Sequence, residues 1–520
     1  MAAAAVLLLV ACGPNREDRG RAHVLRIADN VDPTSLNPLL AHDQDTIGYD
    51  LLVTETLVGL SAQNQPIPIL VTRVPSRANG DISPDGKTIV YHLKPGVRFA
   101  DGTELTSADV AFTYRAILDP RNPVESGDAY QRVADLRTPD KATVVVRLKR
   151  PWNAAVAELF AQSDFAFGIL PAHAFGSTDV TRGAWNERPF GTGPFRVSQW
   201  RRGNEIVLDP NPYYRPQPKL RQIVFPIIPT TESSLVALRA GDIYLTHVAA
   251  TQLAEARAAG GLRLTVTPVN GEYMLVVRTT TAPTGDVRVR RALSLALDRA
   301  EMIRGRFGAL VPADSYLPPV FASHDAAQKA TLQDTASAGR ELEAAGWRRV
   351  NGWWSNGDGR LMVTIAMAAE GGTTIQTIVQ EQLRQFGVDA QLKTYPASQF
   401  NAVEGPLRTG RFNLAATQWI GGADPEQSVV FACTQRGPNG NNASNYCSKR
   451  FEALFEDQST TPDPRRRQRD TVEMQQLVRQ DVPVVPLAFE SYIDAASPRV
   501  LNFRRNMLEY PVDAAQWDVR

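Results

Sequence analysis

Residues that usually announce an enzyme or a metal site are scarce in this chain of 520 residues. It holds three cysteines and six histidines. No CxxC occurs, which argues against structural zinc and thioredoxin-like redox chemistry. The histidines (His23, His42, His92, His173, His247 and His324) are scattered, with no two at helical ligand spacing, so no metal is expected. No GxSxG elbow, HExxH, Walker A or GxGxxG motif is present, and the carboxylates show no distinctive pairing. An excess of one charge is missing too. Lys+Arg is 56 and Asp+Glu is 55, with no basic stripe carrying interleaved aromatics, so nucleic acid is not an expected partner. Beyond the N-terminal segment there is no apolar run long enough to span a bilayer.

What is present is a globular composition. Hydrophobic residues make up 43%, enough for sizeable cores, and the length suits roughly three structural units at about 150 residues each. Gly and Pro, 36 each, imply many turns without low-complexity character.

Met1 to Ala11 reads MAAAAVLLLVA, an apolar run too short to cross a membrane, and it ends at Cys12. Leu9-Val10-Ala11-Cys12 resembles the lipobox of bacterial lipoproteins, which implies cleavage before Cys12 and a lipid on its thiol. No Lys or Arg precedes the run, which leaves an upstream start open. The plain alternative is an Ala/Leu-rich core helix, which Gly13-Pro14 would break at once. Residues 1–12 are thus expected to be a signal segment and 13–22 a polar tether. The expected location is the extracytoplasmic (periplasmic) face of the membrane, by lipid anchor. With Cys12 lipidated, Cys433 and Cys447 remain on either side of the Gly/Asn-rich loop TQRGPNGNNASNY, in a compartment that permits oxidation. A disulfide and two unrelated buried thiols both fit that spacing.

Along the body, strands and helices alternate irregularly. Strands are expected at Thr88 to Leu93, Thr143 to Leu148 and Gln222 to Ile228, with a hairpin around Arg202-Gly203. A capping-box-like Thr106-Ser107-Ala108-Asp109 opens a helix to Leu118, and another runs from about Glu232 to Ala240, ended by Gly241. Asp286 caps a helix whose Val289, Ala292, Leu293, Ala296 and Leu297 form one apolar stripe. Leu361 to Met367, a helix through Ile375 to Phe386 ended by Gly387, and Val388 to Lys393 read as a strand-helix-strand unit. Pro464 suits the first turn of a helix ending before Pro483, and Val484 to Phe489 reads as a strand. The fold class is α/β in several parts. Trp353, Trp354, Trp419 and Tyr446 are either binding platforms or, more simply, core residues. From these features alone the chain reads as an exported, anchored binding protein.

Resemblance sharpens this. TIVYHLKPGVRFADGTELTSADVAFTYRA (88–116), FGTGPFRVSQWRRGNEIVLDPNPYY (190–214), DVRVRRALSLALDR (286–299) and VPVVPLAFESYIDAASPRV (482–500) resemble, in order, segments of the family 5 extracellular solute-binding proteins. These are the oligopeptide- and dipeptide-binding components of ABC importers. The resemblance implies a two-lobed, periplasmic-binding-protein-like fold (type II, cluster C). Its first lobe would be about 23–275 plus 482–520, with an inserted subdomain near 66–180, and its second 276–481. It implies a monomer that needs no cofactor, catalyses nothing, captures a peptide between its lobes and delivers it to ABC transporter permease subunits. Nickel complexes, haem or oligosaccharides are alternative ligands within the family, and a lipid-anchored extracellular hydrolase is the alternative of another class.

Carried over by position, Asp43, Gln44, Asp45 and Thr46 match a ligand-contacting loop of oligopeptide binders, with a plain helix cap as the other reading. Trp419 matches a cleft tryptophan, with Asn445 and Tyr446 near it. Where peptide binders commonly place an aspartate for the peptide ammonium, this chain has Gly422. Asp424 is the nearest acid, either standing in for that group or matching only a structural Asp-Pro.

Overall fold

The structure is a computed structural model that describes residues 23–40, 44–124, 127–163, 165–249, 252–258, 260–304, 310–369, 374–426, 430–437 and 440–520. Cys12, the tether and Asp43 lie outside these residues.

The elements between residues 66 and 180 are built as the alternation predicts. Thr143–Leu148 is the centre of a three-stranded antiparallel sheet, with Thr88–His92 on one side and Val133–Asp140 on the other. Helix Ser107–Ile117 starts where the Asp109 carboxylate accepts the Thr106 backbone N–H at 2.8 Å, closing the first turn. Tyr91, Phe99, Val110, Phe112 and Trp185 fill the core beneath it.

A second sheet carries the hairpin expected around Arg202-Gly203. Phe195–Arg201 pairs with Glu205–Pro210, which pairs with Gln222–Pro226, and Val24–Arg26 completes the sheet as a parallel partner of the last. Helix Gln44–Val53 packs here. Its end explains the glycines of the GTG turn: a Cβ on Gly191 would come 2.3 Å from the Val53 carbonyl oxygen, and one on Gly193 would come 2.6 Å from that of Leu52.

The largest sheet joins the two lobes. Its order is Leu245–His247, Val484–Ala496, Arg263–Val277, Leu414–Ile420, Met362–Ala368 and Asp389–Tyr395, with Val311–Pro312 beside the second. Two long strands, Arg263–Val277 and Val484–Ala496, run antiparallel through the middle. At one end they continue into Leu245–His247, and at the other Arg263–Val277 pairs with Leu414–Ile420. Their register shifts between Pro268 and Glu272, where a sheet can bend most easily. The lobe boundary expected at 275/276 therefore falls within a continuous strand.

The elements between residues 276 and 481 follow their pattern closely. Asp286 caps Val287–Leu295 by accepting the Arg288 N–H at 2.8 Å, and all five residues of the apolar stripe are buried. Met362–Ala368 and Asp389–Tyr395 are parallel across helix Thr374–Gln385, which Gly387 ends at a φ of 88°. Trp354 is buried against this core. Pro464 opens the helix Pro464–Asp481, and Cys433 and Cys447 are joined as a disulfide.

Candidate functional site

Strand Leu414–Ile420 borders two different spaces, because successive side chains alternate across a sheet, and Gln418 lines both. Gln418 and Ile420 look into a cavity of about 360 Å³ whose other lining residues come from 27–52, 225–247 and 490–517. Asp29 and Asn30, just past strand Val24–Arg26, and His247, at the end of its own strand, line it. The flank of helix Gln44–Val53, through Gly48 and Tyr49, closes one side. The floor is Glu490 to Tyr492, on the strand shared by the lobes, with Arg505 and Glu509 beside it.

The charges in this cavity are unequal. Asp29, Glu490 and Glu509 line it against one guanidinium, Arg505. Arg505 is already paired: its Nε lies 3.1 Å from both Asp494 carboxylate oxygens. Burial pushes the Asp494 carboxyl up, and Arg505 opposes that push. Glu490 accepts hydrogen bonds from Gln418 Nε2 at 2.6 and 2.5 Å and from the Tyr273 hydroxyl at 3.4 Å. Both partners are neutral, and burial holds the Glu490 carboxyl above the usual range. Gly271 makes room for it, since a Cβ there would stand 2.7 Å from Glu490 Oε2. His247 packs on the Tyr492 ring at 4.2 Å between centroids, and Arg505 lies 4.4 Å over the same ring. Burial, then the Arg505 charge, lowers its pKa to about 4, so the imidazole is neutral at pH 7. Its buried Nδ1 has no hydrogen-bond partner among the described residues.

On the opposite face of the same strand, Thr417 and Trp419 line a smaller space of about 180 Å³ walled by Met274, Val276, Phe431 and Val484. The buried Trp419 Nε1 has no partner among the described residues. This pocket is of mixed character, with Asn401, Arg408, Gln418, Asn441 and Ser444 lining it beside the apolar side chains.

The residues singled out in the sequence are thus spread over several tasks. Gln44 to Thr46 form the first turn of the helix that flanks the larger cavity. Trp419 lines the smaller one. The Gly422 carbonyl accepts Asn270 Nδ2 at 2.7 Å, tying the loop to the register shift. Asn445, at a φ of 57°, donates from Nδ2 to the Thr280 hydroxyl at 3.2 Å, and buried Tyr446 donates to Asp481 at 2.6 Å. Neither lines a cavity given above. Asp424 is held elsewhere. Its carboxylate pairs with Arg467 of helix Pro464–Asp481 and accepts the Glu426 N–H at 2.9 Å. The acid that the sequence offers for an ammonium already has its cation. Sequence reasoning missed Asp29, His247, Gln418, Glu490 and Arg505 as a group; only Glu490 fell inside a quoted motif, LAFESYIDAA.

Beyond Asp424 the lobes meet a second time. Trp152 Nε1 donates to Glu426 at 3.2 Å. Asn153 Nδ2 donates to the Gln458 and Thr461 carbonyls, both at 2.8 Å, its own N–H reaches the Ser459 carbonyl at 2.8 Å, and Arg150 pairs with Glu456. Burial, and then the charge of Asp424, pushes the Glu426 carboxyl up to about 7.

Among the described residues no group of three or more His, Cys, Asp or Glu is placed to hold a metal ion, and no helix is long and apolar enough to cross a membrane.

Comparison with known proteins agrees with this architecture. The chain is 26% identical over 437 residues to the glutathione-binding protein GsiB of Shigella boydii serotype 4 (strain Sb227), covering 81% of each. It is 25% identical over 408 residues to the oligopeptide-binding protein AppA of Bacillus subtilis (strain 168), covering 75% of this chain and 73% of AppA. The structure of AppA from Bacillus subtilis in complex with a nonapeptide superposes at a TM-score of 0.77, with 22% identity over 96% of this chain and 99% of that one. NikA from Brucella suis, in complex with Fe(III)-EDTA, superposes at 0.84, with 21% identity over 96% of this chain and 100% of that one. Structural likeness at such identities establishes the shared two-lobed fold. The model of the bacterial extracellular solute-binding proteins, family 5 (middle region), matches residues 65–441, and with that match over most of its length this chain belongs to that family of extracytoplasmic binding proteins.

Proposed function

We propose that this protein captures peptides in the cavity between its lobes and delivers them to the permease of an ABC importer. The observation that carries the reading is the cavity itself: about 360 Å³, lined mainly by the first lobe of this reading, with Gln418 and Ile420 of the second on one side and Glu490 to Tyr492 of the central strand as its floor. A ligand there touches both lobes at once, so binding favours the closed arrangement that a membrane partner can read. GsiB and AppA, named for glutathione and oligopeptides, support peptides as the ligand class. In this reading the first lobe is about 23–275 plus 482–520, with its insertion near 66–180, and the second is 276–481. The first turn of helix Gln44–Val53, with Asp43 before it, meets the ligand in this reading, and Trp419, on the other face of its strand, offers a separate pocket. The family consists of binding proteins, and the reading assigns no reaction.

Cys12 carries a lipid that keeps the protein at the outer face of the cell membrane. Cys12→Ala then releases folded protein from the membrane fraction; a wild type already soluble in its native host would refute the anchor. Peptide capture is tested by native mass spectrometry of the protein as purified, followed by exposure to a pool of mixed tripeptides. Retention of defined tripeptide masses supports the reading. A folded protein that retains none across a varied pool refutes it.

A further inference from the structure

Helix Lys449–Thr460 ends, as helices do, with carbonyls that no later turn of its own can satisfy. Two of them are met by a single residue from a distant part of the chain. Asn153 donates its Nδ2 to the Gln458 carbonyl and its backbone N–H to that of Ser459, both at 2.8 Å. The same Nδ2 reaches the Thr461 carbonyl, just past the helix, at 2.8 Å. Arg150 pairs with Glu456 in the last turn. Between them, Trp152 donates its indole N–H to Glu426 at 3.2 Å, and the Arg132 guanidinium lies 4.5 Å over the Trp152 ring. Residues of the proposed insertion thus dock on residues of the proposed second lobe, and none of these side chains lines the cavity assigned to the ligand. A helix end presents its acceptors in fixed positions, so this docking has a definite geometry, and water takes the place of Asn153 wherever it is undone.

Glu426 is the part of the contact that can titrate. The charges facing it are Asp424 and Arg467 from its own side and Arg132 from the docked side. Burial is the largest influence and the Asp424 charge adds to it. Together they outweigh the two guanidiniums and the indole N–H, and hold the carboxyl at about 7 against an ordinary 4.5. Asp424 and Arg467 pair with each other and stay beside Glu426 when the contact opens. Opening removes Trp152 and Arg132 and returns water to the carboxyl. We infer that this contact is a proton-operated clasp: docking of Arg150, Trp152 and Asn153 on the end of helix Lys449–Thr460 encloses the Glu426 carboxyl, which takes a proton from solvent, so acid favours the clasped arrangement. The docked form holds that proton more tightly than the open one. The advantage is therefore fully present below about pH 4.5 and is lost as pH rises through about 7. The inference rests on the reading in which the lobes open and close around a ligand, and it adds a second point of closure, away from the ligand, that reports pH.

Hydrogen exchange at the Asn153 amide reads the clasp without any ligand. It is followed in the full protein at pH 5, 6.5 and 8, for the wild type and for Glu426→Gln, which mimics the protonated acid. Comparing the two at each pH cancels the chemical exchange rate. They should be protected alike at pH 5, with the wild type falling roughly tenfold behind by pH 8. Calorimetry with the tripeptide pool at pH 6, in two buffers of different ionisation heat, should show uptake of roughly half a proton or more by the wild type, and less by Glu426→Gln. The unfolding midpoint at pH 5 checks that the variant is folded; if it is not, the proton uptake of the wild type decides alone, and its absence overturns the clasp. Identical pH profiles in the two folded proteins overturn the role of Glu426. An Asn153 amide unprotected at every pH, with and without tripeptides, overturns the docking itself. Tripeptides bound without proton uptake overturn the clasp and leave peptide capture standing. Protection that depends on pH through Glu426, in a protein that binds no tripeptide, supports the clasp and overturns peptide capture.

Discussion

Asp424→Asn separates two roles for one residue. The sequence offers Asp424 as the partner of a ligand ammonium, whereas the structure engages it with Arg467, at side-chain exposures of 8% and 20% respectively. Neutralising one member of a buried pair costs about 3–5 kcal/mol, because the other charge is stranded. Here part of that loss returns. Glu426 lies close by, and the Asp424 charge contributes to holding its carboxyl up near 7. With that charge gone, Glu426 ionises more easily and can face Arg467, so a net loss of about 2–3 kcal/mol is expected. Urea unfolding at pH 7 should show a lower midpoint with an unchanged slope, since the same surface is exposed. Binding of the free-amine tripeptide pool should change little. The opposite pattern, unaltered stability with lost free-amine binding, would refute the structural role and return Asp424 to the ligand site.

The second contact between the lobes predicts a kinetic effect. Asn153→Ala removes two side-chain hydrogen bonds, to the Gln458 and Thr461 carbonyls, and should cost about 1–3 kcal/mol of closed-state stability, read as faster ligand release in stopped-flow. Unchanged release would show that the contact persists in the open protein. Cys433 and Cys447 should be bonded in exported material, and reduction should cost about 3 kcal/mol by the chain-entropy estimate; two thiols alkylated without reductant would contradict this. Burial raises Glu55 and Glu426 from the ordinary 4.5 to about 7. The folded state therefore holds their protons more tightly than the unfolded chain. Their contribution is fully present below about pH 4.5 and is lost as pH rises towards 7, which Glu55→Gln should flatten in a stability profile.

Much of the scaffold was legible because its signals are local. The Asp109 reach-back to Thr106, the Asp286 cap with its apolar stripe, and Gly241 and Gly387 as helix ends all act within a few residues. The long strand Arg263–Val277 was not. Its sequence carries Pro268 and Gly271, its register shifts there, and burial runs unbroken over much of its second half, so no period-two alternation survives to be read. The site was less visible for a different reason. Asp29, His247, Gln418 and Glu490 are far apart in sequence and converge only through sheet order. Trp419 drew attention because it is large, while its neighbour Gln418 faces the interlobe cavity. Arg467 lies 43 residues beyond Asp424, and nothing in the Trp419 to Pro425 segment announces it.

The shared sheet also has a consequence for how the protein is made. Strand Val484–Ala496 is central to the sheet of both lobes, yet every strand it pairs with precedes it in the chain. Ribosomal synthesis therefore delivers the tie between the lobes last. Until it emerges, Leu245–His247 has only its bridge to Ile27 and Arg263–Val277 has one unpaired edge, so the central sheet is incomplete. For a protein that crosses a membrane before it works, that ordering keeps the nascent chain threadable until that strand has been made. A chain cut before Val484 should accordingly be degraded in both lobes by limited proteolysis, where independent lobes would leave one resistant.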